Sequence, residues 1–163
     1  LREENNVKRS TKILLACGLL LACSQPSSEP PSAKGFRDYL AAANEVVVTV
    51  PAAEAVGLMG DSQVAFVDIR EQNELDESGW IPDAVHAPRG LLEFYIDSSS
   101  SSHKEVFSSG KRIVFYCAGG ARSALAAQLA MDMGLADVAH VGGGFRAWVE
   151  AGGPVDKAAA DGG

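Results

Sequence analysis

Residues 112–133 impose the strongest constraint on how this chain can fold. An apolar run, Arg112-Ile113-Val114-Phe115-Tyr116, leads into a loop of small residues, Cys117-Ala118-Gly119-Gly120-Ala121. Arg122 and a helix-like stretch, Ser123–Met133, follow at once. A buried strand passing directly into a helix is the repeating unit of parallel α/β sheets, because a parallel neighbour needs a crossover. The pattern recurs on both sides. Strands are expected at Glu45–Val50, Val64–Ile69, Ala84–Ala87, Ile113–Tyr116 and Val138–Val141. Helices are expected at Pro51–Met59, Glu71–Ser78, Leu91–Ile96, Ser123–Met133 and Phe145–Ala151, the last ended by Gly152-Gly153-Pro154. Proline suits the first turn of the Pro51 helix, where its missing N–H costs nothing. The expected class is α/β: one domain with a mainly parallel five-stranded sheet and helices on both faces. In such sheets ligands gather at the carboxyl ends of the strands. Asp68, Cys117 and Gly142 fall at three of these ends.

The same stretch suggests chemistry. N–H groups at a helix N-terminus lack intrahelical partners and attract anions, and successive N–H groups in a tight loop form a nest for negative charge. That field favours thiolate over thiol, so Cys117 is the expected nucleophile. Ala118, Gly119, Gly120, Ala121 and Ser123 are expected to line the anion site, with the glycines leaving the sulfur open. Arg122 is expected to orient the loop or to contact an anionic substrate. The spacing resembles the cysteine-phosphatase signature Cys-x5-Arg-Ser/Thr, but Cys117-x4-Arg122-Ser123 is one residue shorter. A tighter cradle should accept an outer sulfur atom more readily than a phosphate group.

Taken with three other segments, the loop makes the chain resemble a rhodanese (thiosulfate sulfurtransferase) domain. Val67-Asp68-Ile69-Arg70-Glu71 resembles the family's Asp-Val-Arg-Glu strand end. Gly79-Trp80-Ile81-Pro82-Asp83-Ala84 resembles its Gly-His-Ile-Pro-Gly-Ala segment, with Trp80 in place of histidine and Asp83 in place of glycine. Gly143-Gly144-Phe145-Arg146-Ala147-Trp148 resembles its closing Gly-Gly-x-x-Ala-Trp. The four blocks occur in the family's order over residues 45–155. The resemblance implies sulfur transfer from thiosulfate or a similar donor to cyanide or a small thiol through a Cys117 persulfide, with no cofactor. The alternatives are a persulfide carrier that serves an exported partner protein, and an arsenate or phosphate-ester enzyme.

The N-terminal part reads as a leader. Arg2, Lys8, Arg9 and Lys12 precede an apolar run, Ile13–Ala22, too short to span a bilayer. It ends in Leu20-Leu21-Ala22-Cys23, which resembles a bacterial lipobox, with Leu14-Leu15-Ala16-Cys17 a second match lacking a preceding apolar run. The expectation is a signal peptide over 1–22, a lipidated Cys23 and Ser/Pro-rich tether over 23–34, the folded domain over 35–157 and a loose tail over 158–163. Such a protein would be a monomer held by its lipid at the periplasmic face of a bacterial membrane, by preference the outer one. Cys117 would then be the one free thiol of the mature protein. The formal net charge of −7 argues against nucleic acid as a partner and against attraction to anionic lipid.

Other residues weigh less. Gly142-x-Gly144-x-x-Ala147 nominally matches a dinucleotide fingerprint, but no strand and ribose-binding acid follow it, so a structural turn is expected. His86, His103 and His140 show no metal-ligand spacing, and no metal is expected. Asp68 and Arg70 either tune the site or hydrogen-bond to each other, and Arg89 offers either a second cation or a surface ion pair.

Overall fold

The computed structural model describes residues 33–157. The expected leader, Cys23, the tether up to residue 32 and the tail over 158–163 lie outside them. Among the described residues, helices α1 (Phe36–Val46), α2 (Ala52–Gly57), α3 (Gln72–Ser78), α4 (Leu92–Ile96), α5 (Ala121–Asp132) and α6 (Gly144–Glu150) alternate with strands. The strands are β1 (Val48–Val50), β2 (Val64–Asp68), β3 (Val85–His86), β4 (Arg112–Tyr116) and β5 (Val138–Val141). They form one sheet in the order β1-β5-β4-β2-β3, and every pairing is parallel. The domain is thus a single α/β unit, as its alternating pattern implies.

Strand alternation sorts the core. Ile113 and Phe115 of β4, and Cys117 just after it, face one layer with Ala126, Ala127 and Ala130 of α5 and Leu92 of α4. Val114 and Tyr116 face the other, with Ala55 of α2 and Phe145 and Trp148 of α6. The two-residue period of a strand therefore places Cys117 on the α5 side. On β5, Val138 belongs to the α5 layer and Ala139 and Val141 to the α6 layer. His140, between Ala139 and Val141, takes the α5 side with Val138. The register pairs Asp68 with Tyr116 and Phe115 with His140, so the carboxyl ends of β2, β4 and β5 form one rim.

Two elements differ from expectation. Glu45 and Val46, expected to open the first strand, are the last residues of α1. An alanine-rich stretch at 41–43 favours helix, and Gly35 N–H donates to Asp38 at 2.8 Å at its start. The β-branched run that suggested a strand pairs only from Val48 onward. α5 begins at Ala121 rather than Ser123, because Gly120 turns the chain in the left-handed region (φ +94°). Asp83 has φ +60°, which explains why the related motif carries glycine there and why aspartate, which tolerates this conformation, can replace it.

Trp148 anchors the α6 layer. It is fully buried, meets Phe66 edge-to-face at 5.4 Å, and donates its indole N–H to the Pro154 carbonyl at 2.9 Å. Trp148→Ala is expected to cost about 3–5 kcal/mol of stability, measured by urea unfolding.

Candidate active site

Cys117 follows β4 directly, and its loop lies between the starts of two helices. Gly120 N–H points at Cys117 Sγ at 3.2 Å, and Sγ lies 3.6 Å from Ser123 Oγ in the first turn of α5. On the other side of the loop, Phe145 N–H donates to the Cys117 carbonyl at 2.7 Å and Arg146 N–H to the Ala118 carbonyl at 3.2 Å. The Gly-Gly turn that resembled a dinucleotide fingerprint is therefore a brace for the Cys117 loop. A Cβ on Gly144 would sit 2.3 Å from the Cys117 carbonyl oxygen, so only glycine allows this approach.

The sulfur is not open, contrary to expectation. Cys117 is 1 % exposed, and Ser123 is fully buried. The left-handed turn at Gly120 folds the loop back so that its N–H and Ser123 cover the sulfur. Ala118, Gly119 and Ala121 are exposed and form the outer surface of the loop. Beside Ala118 lies an open cavity of about 650 Å³, lined among others by Glu74, Ser78, Phe145, Arg146, Val149 and Lys157.

The arginines have separate tasks. Arg122 makes a two-pronged pair with Glu74 of α3, at 2.7 and 2.6 Å, and so ties α3 to α5 across the loop. The Arg122 guanidinium holds the Glu74 carboxyl well below its ordinary value, at about 2, and Glu74 raises the Arg122 guanidinium in turn. The pairing sets the Arg122 guanidinium across the loop, where Cys117 lies near enough to add to its upward shift. Asp68 and Arg70 form a buried ion pair, 1 % exposed on both sides, with Nη2–Oδ2 at 2.6 Å. Arg70 also donates to Ser78 Oγ at 2.8 Å and to the Gly79 carbonyl at 2.7 Å, and its guanidinium lies 4.2 Å from the Phe145 ring centroid. Its donors are engaged within the protein in this way, and Arg70 also belongs to the lining of the cavity beside Ala118. Arg89 pairs with Glu93 at 3.3 Å on the surface and does not line the cavity, so it is no second cation for the site.

The cation missed by sequence reading is Arg146. It is exposed, forms no ion pair among the described residues, lines the cavity, and comes within 3.9 Å of where a Cβ on Gly119 would stand. Its position inside Gly-Gly-Phe-Arg-Ala-Trp was the available signal, obscured because that segment reads as a structural turn. The motif's usual histidine is Trp80 here, whose backbone exchanges two hydrogen bonds with Asp156, both at 2.9 Å. No cluster of His, Cys, Asp or Glu suited to a metal ion occurs among the described residues.

Comparison with known proteins agrees with this architecture. Residues 51–151 match the rhodanese-like domain family, and the chain belongs to it. The chain is 28% identical over 101 residues to the mouse thiosulfate sulfurtransferase/rhodanese-like domain-containing protein 3, spanning 59% of this chain and 64% of that one. It is 28% identical to the human thiosulfate:glutathione sulfurtransferase, over 63% of this chain and 93% of that protein. A solved structure from Rhodopseudomonas palustris, described as a protein of unknown function and possible tyrosine phosphatase, is 48% identical with a TM-score of 0.74. That match covers 76% of this chain and 96% of the other.

The Glu74–Arg122 pair has a pH signature. A carboxylate whose folded value lies below its unfolded one adds stability above the unfolded value and loses it as pH falls through the folded one. Stability in urea should therefore drop as pH falls from about 4.5 to about 2. Glu74→Gln should flatten that part of the profile; an unchanged slope would show that the pair contributes nothing there.

Proposed function

We propose that the chain is a sulfurtransferase that carries sulfane sulfur as a persulfide on Cys117. The Gly120 N–H aimed at Sγ, where β4 passes into α5, carries this reading. An N–H held at 3.2 Å from a sulfur supports a negative charge on it in both the thiolate and the persulfide. The family's named sulfurtransferases support the same reaction class. Cys117 thiolate attacks the outer sulfur of thiosulfate. The S–S bond of the donor breaks, and sulfite leaves with the bonding pair. Cyanide or a small thiolate then takes the outer sulfur and regenerates the Cys117 thiolate. Because Sγ is covered, the attack needs the sulfur to move away from Ser123 toward the exposed edge at Ala118 and Gly119. Arg146 is placed to draw an anionic donor to that edge, within an acidic chain.

A phosphatase reading is motivated by the description of the Rhodopseudomonas relative. The geometry favours sulfur instead. Phosphoryl transfer needs the whole phosphoryl group seated inside the loop, whereas sulfur transfer brings only the outer sulfur to Cys117. The loop is one residue shorter than the phosphatase spacing, and Arg122 is held by Glu74. A purely carrier role, presenting sulfur to an exported protein, remains the non-enzymatic alternative. The leader supports placing the protein at the periplasmic face of a bacterial membrane through a lipid on Cys23.

Thiosulfate should add one sulfur atom to the intact protein by mass, and cyanide should remove it. Cys117→Ser should abolish both changes and all thiosulfate:cyanide turnover. Mass gain without turnover would favour the carrier. Hydrolysis of an aryl phosphate at a comparable rate would overturn the sulfur assignment. Fatty-acid labelling of cells should mark the wild type and not Cys23→Ala; equal labelling would move the anchor elsewhere, with Cys17 next.

A further inference from the structure

Four polar or charged residues are buried among the described residues: Asp68, Arg70, Ser123 and His140. Asp68 and Arg70 satisfy each other. Ser123 and His140 do not contact that pair. They form a separate chain that ends on the nucleophile. Cys117 Sγ lies 3.6 Å from Ser123 Oγ, which lies 3.4 Å from His140 Nδ1. On the other side of the ring, His140 Nε2 lies 2.8 Å from Thr49 Oγ1. Thr49 is exposed, on the edge strand β1. It lines an open cleft of about 350 Å³ together with Leu40, Asn44, Gly119 and His140. That cleft shares no lining residue with the cavity beside Ala118. The chain thus links a covered sulfur to solvent at the Thr49 cleft, whose Gly119 borders the Arg146 guanidinium.

We propose that His140 is a positioning residue for Cys117, taking the thiol proton through Ser123 and changing tautomer so that Ser123 donates to the thiolate. The proposal rests on the reading of Cys117 as nucleophile. Before transfer, Nε2–H donates to Thr49 Oγ1, Nδ1 accepts the Ser123 hydroxyl, and Ser123 Oγ accepts the thiol proton. The S–H bond then breaks and its electron pair stays on sulfur. That proton joins Ser123 Oγ while the former hydroxyl proton passes to Nδ1. The Nε2 proton leaves through Thr49 Oγ1 to water in the cleft. At the end Thr49 donates to Nε2, Nδ1–H donates to Ser123 Oγ, and Ser123 O–H donates to the thiolate. One proton has moved from sulfur to solvent, and nothing is oxidised.

The physical need for this chain comes from Gly120. Its carbonyl lies 2.9 Å from Ser123 Oγ and competes for the hydroxyl proton. A serine that keeps its proton there turns a lone pair toward a thiolate. A proton donated by Nδ1 occupies that lone pair, and a charged acceptor then holds the O–H more strongly than a carbonyl does. A neutral ring is required, since only the neutral imidazole has one donor and one acceptor nitrogen. Burial pushes His140 below its ordinary value and so favours the neutral form. The side chains that face the ring are Thr49 from β1, Ser123 from α5, the cross-strand neighbour Phe115 on β4, and Leu40 and Asn44 of α1 across the cleft. None of these carries charge, and Cys117 is the titratable group the chain reaches.

The test is the rate of Cys117 alkylation by iodoacetamide in the full chain, followed at the Cys117 peptide by mass spectrometry across pH. His140→Gln keeps polarity and cannot exchange tautomers. It should slow alkylation about tenfold near neutrality, equivalent to one pH unit, with the deficit closing as pH rises. Thr49→Val, at an exposed strand edge, should produce a smaller deficit of the same pH shape. Adding Ser123→Ala to His140→Gln should slow alkylation no further than Ser123→Ala alone. A folded His140→Gln protein that reacts like wild type at every pH overturns the proposal. So does a deficit of equal size at every pH, which is the mark of a purely structural role. If His140→Gln fails to fold, Thr49→Val decides: wild-type rates throughout overturn the relay. Alkylation does not depend on sulfur transfer, so lack of thiosulfate turnover would count against the sulfurtransferase reading and leave this result standing.

Discussion

The Cys117 loop holds its shape because two helix starts grip it from opposite sides. The first N–H groups of a helix have no partner within the helix. At α6 they go to the carbonyls of Cys117 and Ala118, and at α5 the left-handed Gly120 directs its own N–H at the sulfur. Both helices follow strands of the same parallel sheet, β5 and β4, which are neighbours in register. The loop is therefore held by groups that the fold would otherwise leave unsatisfied. The grip depends on the absence of a side chain at Gly144, where the backbone approaches the Cys117 carbonyl too closely for a Cβ. It also sets the direction of the sulfur, because a loop held by its carbonyls has only its N–H groups left to face inward.

Charge is distributed around this loop by the same economy. Arg70 and Arg122 lie near it in space, and both are engaged by carboxylates, one pair buried and one part-exposed. Both reach α3: Arg70 meets its C-terminal end through Ser78 and Gly79, and Arg122 meets its first turn through Glu74. A buried pair of this kind adds little net stability, but loss of one partner strands the other charge. Among the described residues, Arg146 and Lys157 line the cavity without a carboxylate partner, and Arg146 stands on the same helix start that braces the loop.

Sequence reading succeeded where one physical rule dominated. The buried strands were legible because short apolar runs bounded by turn residues have few other ways to fold in an alternating chain. Which face Cys117 and His140 take emerged only from the structure, where strand parity puts both on the α5 side. α1 was missed because two local preferences compete in adjoining residues: alanines at 41–43 favour helix, and the valines from Val46 favour strand. The chain resolves the contest at Val47, which no pattern within the segment reveals. The partner of Arg122 was illegible for a different reason. Glu74 is 48 residues from Arg122, and which of several carboxylates captures an arginine is decided by how α3 docks. The covered state of the sulfur was missed because it follows from one dihedral, the φ of Gly120, and not from composition.

Coverage of the sulfur has a chemical consequence. A thiolate on an open loop reacts with any oxidant that reaches it, and susceptibility follows exposure as well as thiolate character. Here Cys117 is 1 % exposed, although its loop neighbours Ala118, Gly119 and Ala121 face solvent. On the proposed reaction, protection and reactivity would be separated by a short movement of one side chain past Ser123. On the proposed reaction, a persulfide would extend the reactive atom by one bond beyond Sγ. The transferable sulfur would therefore be more accessible than the sulfur that binds it, which suits a group that has to accept an atom, hold it, and give it up to a second molecule.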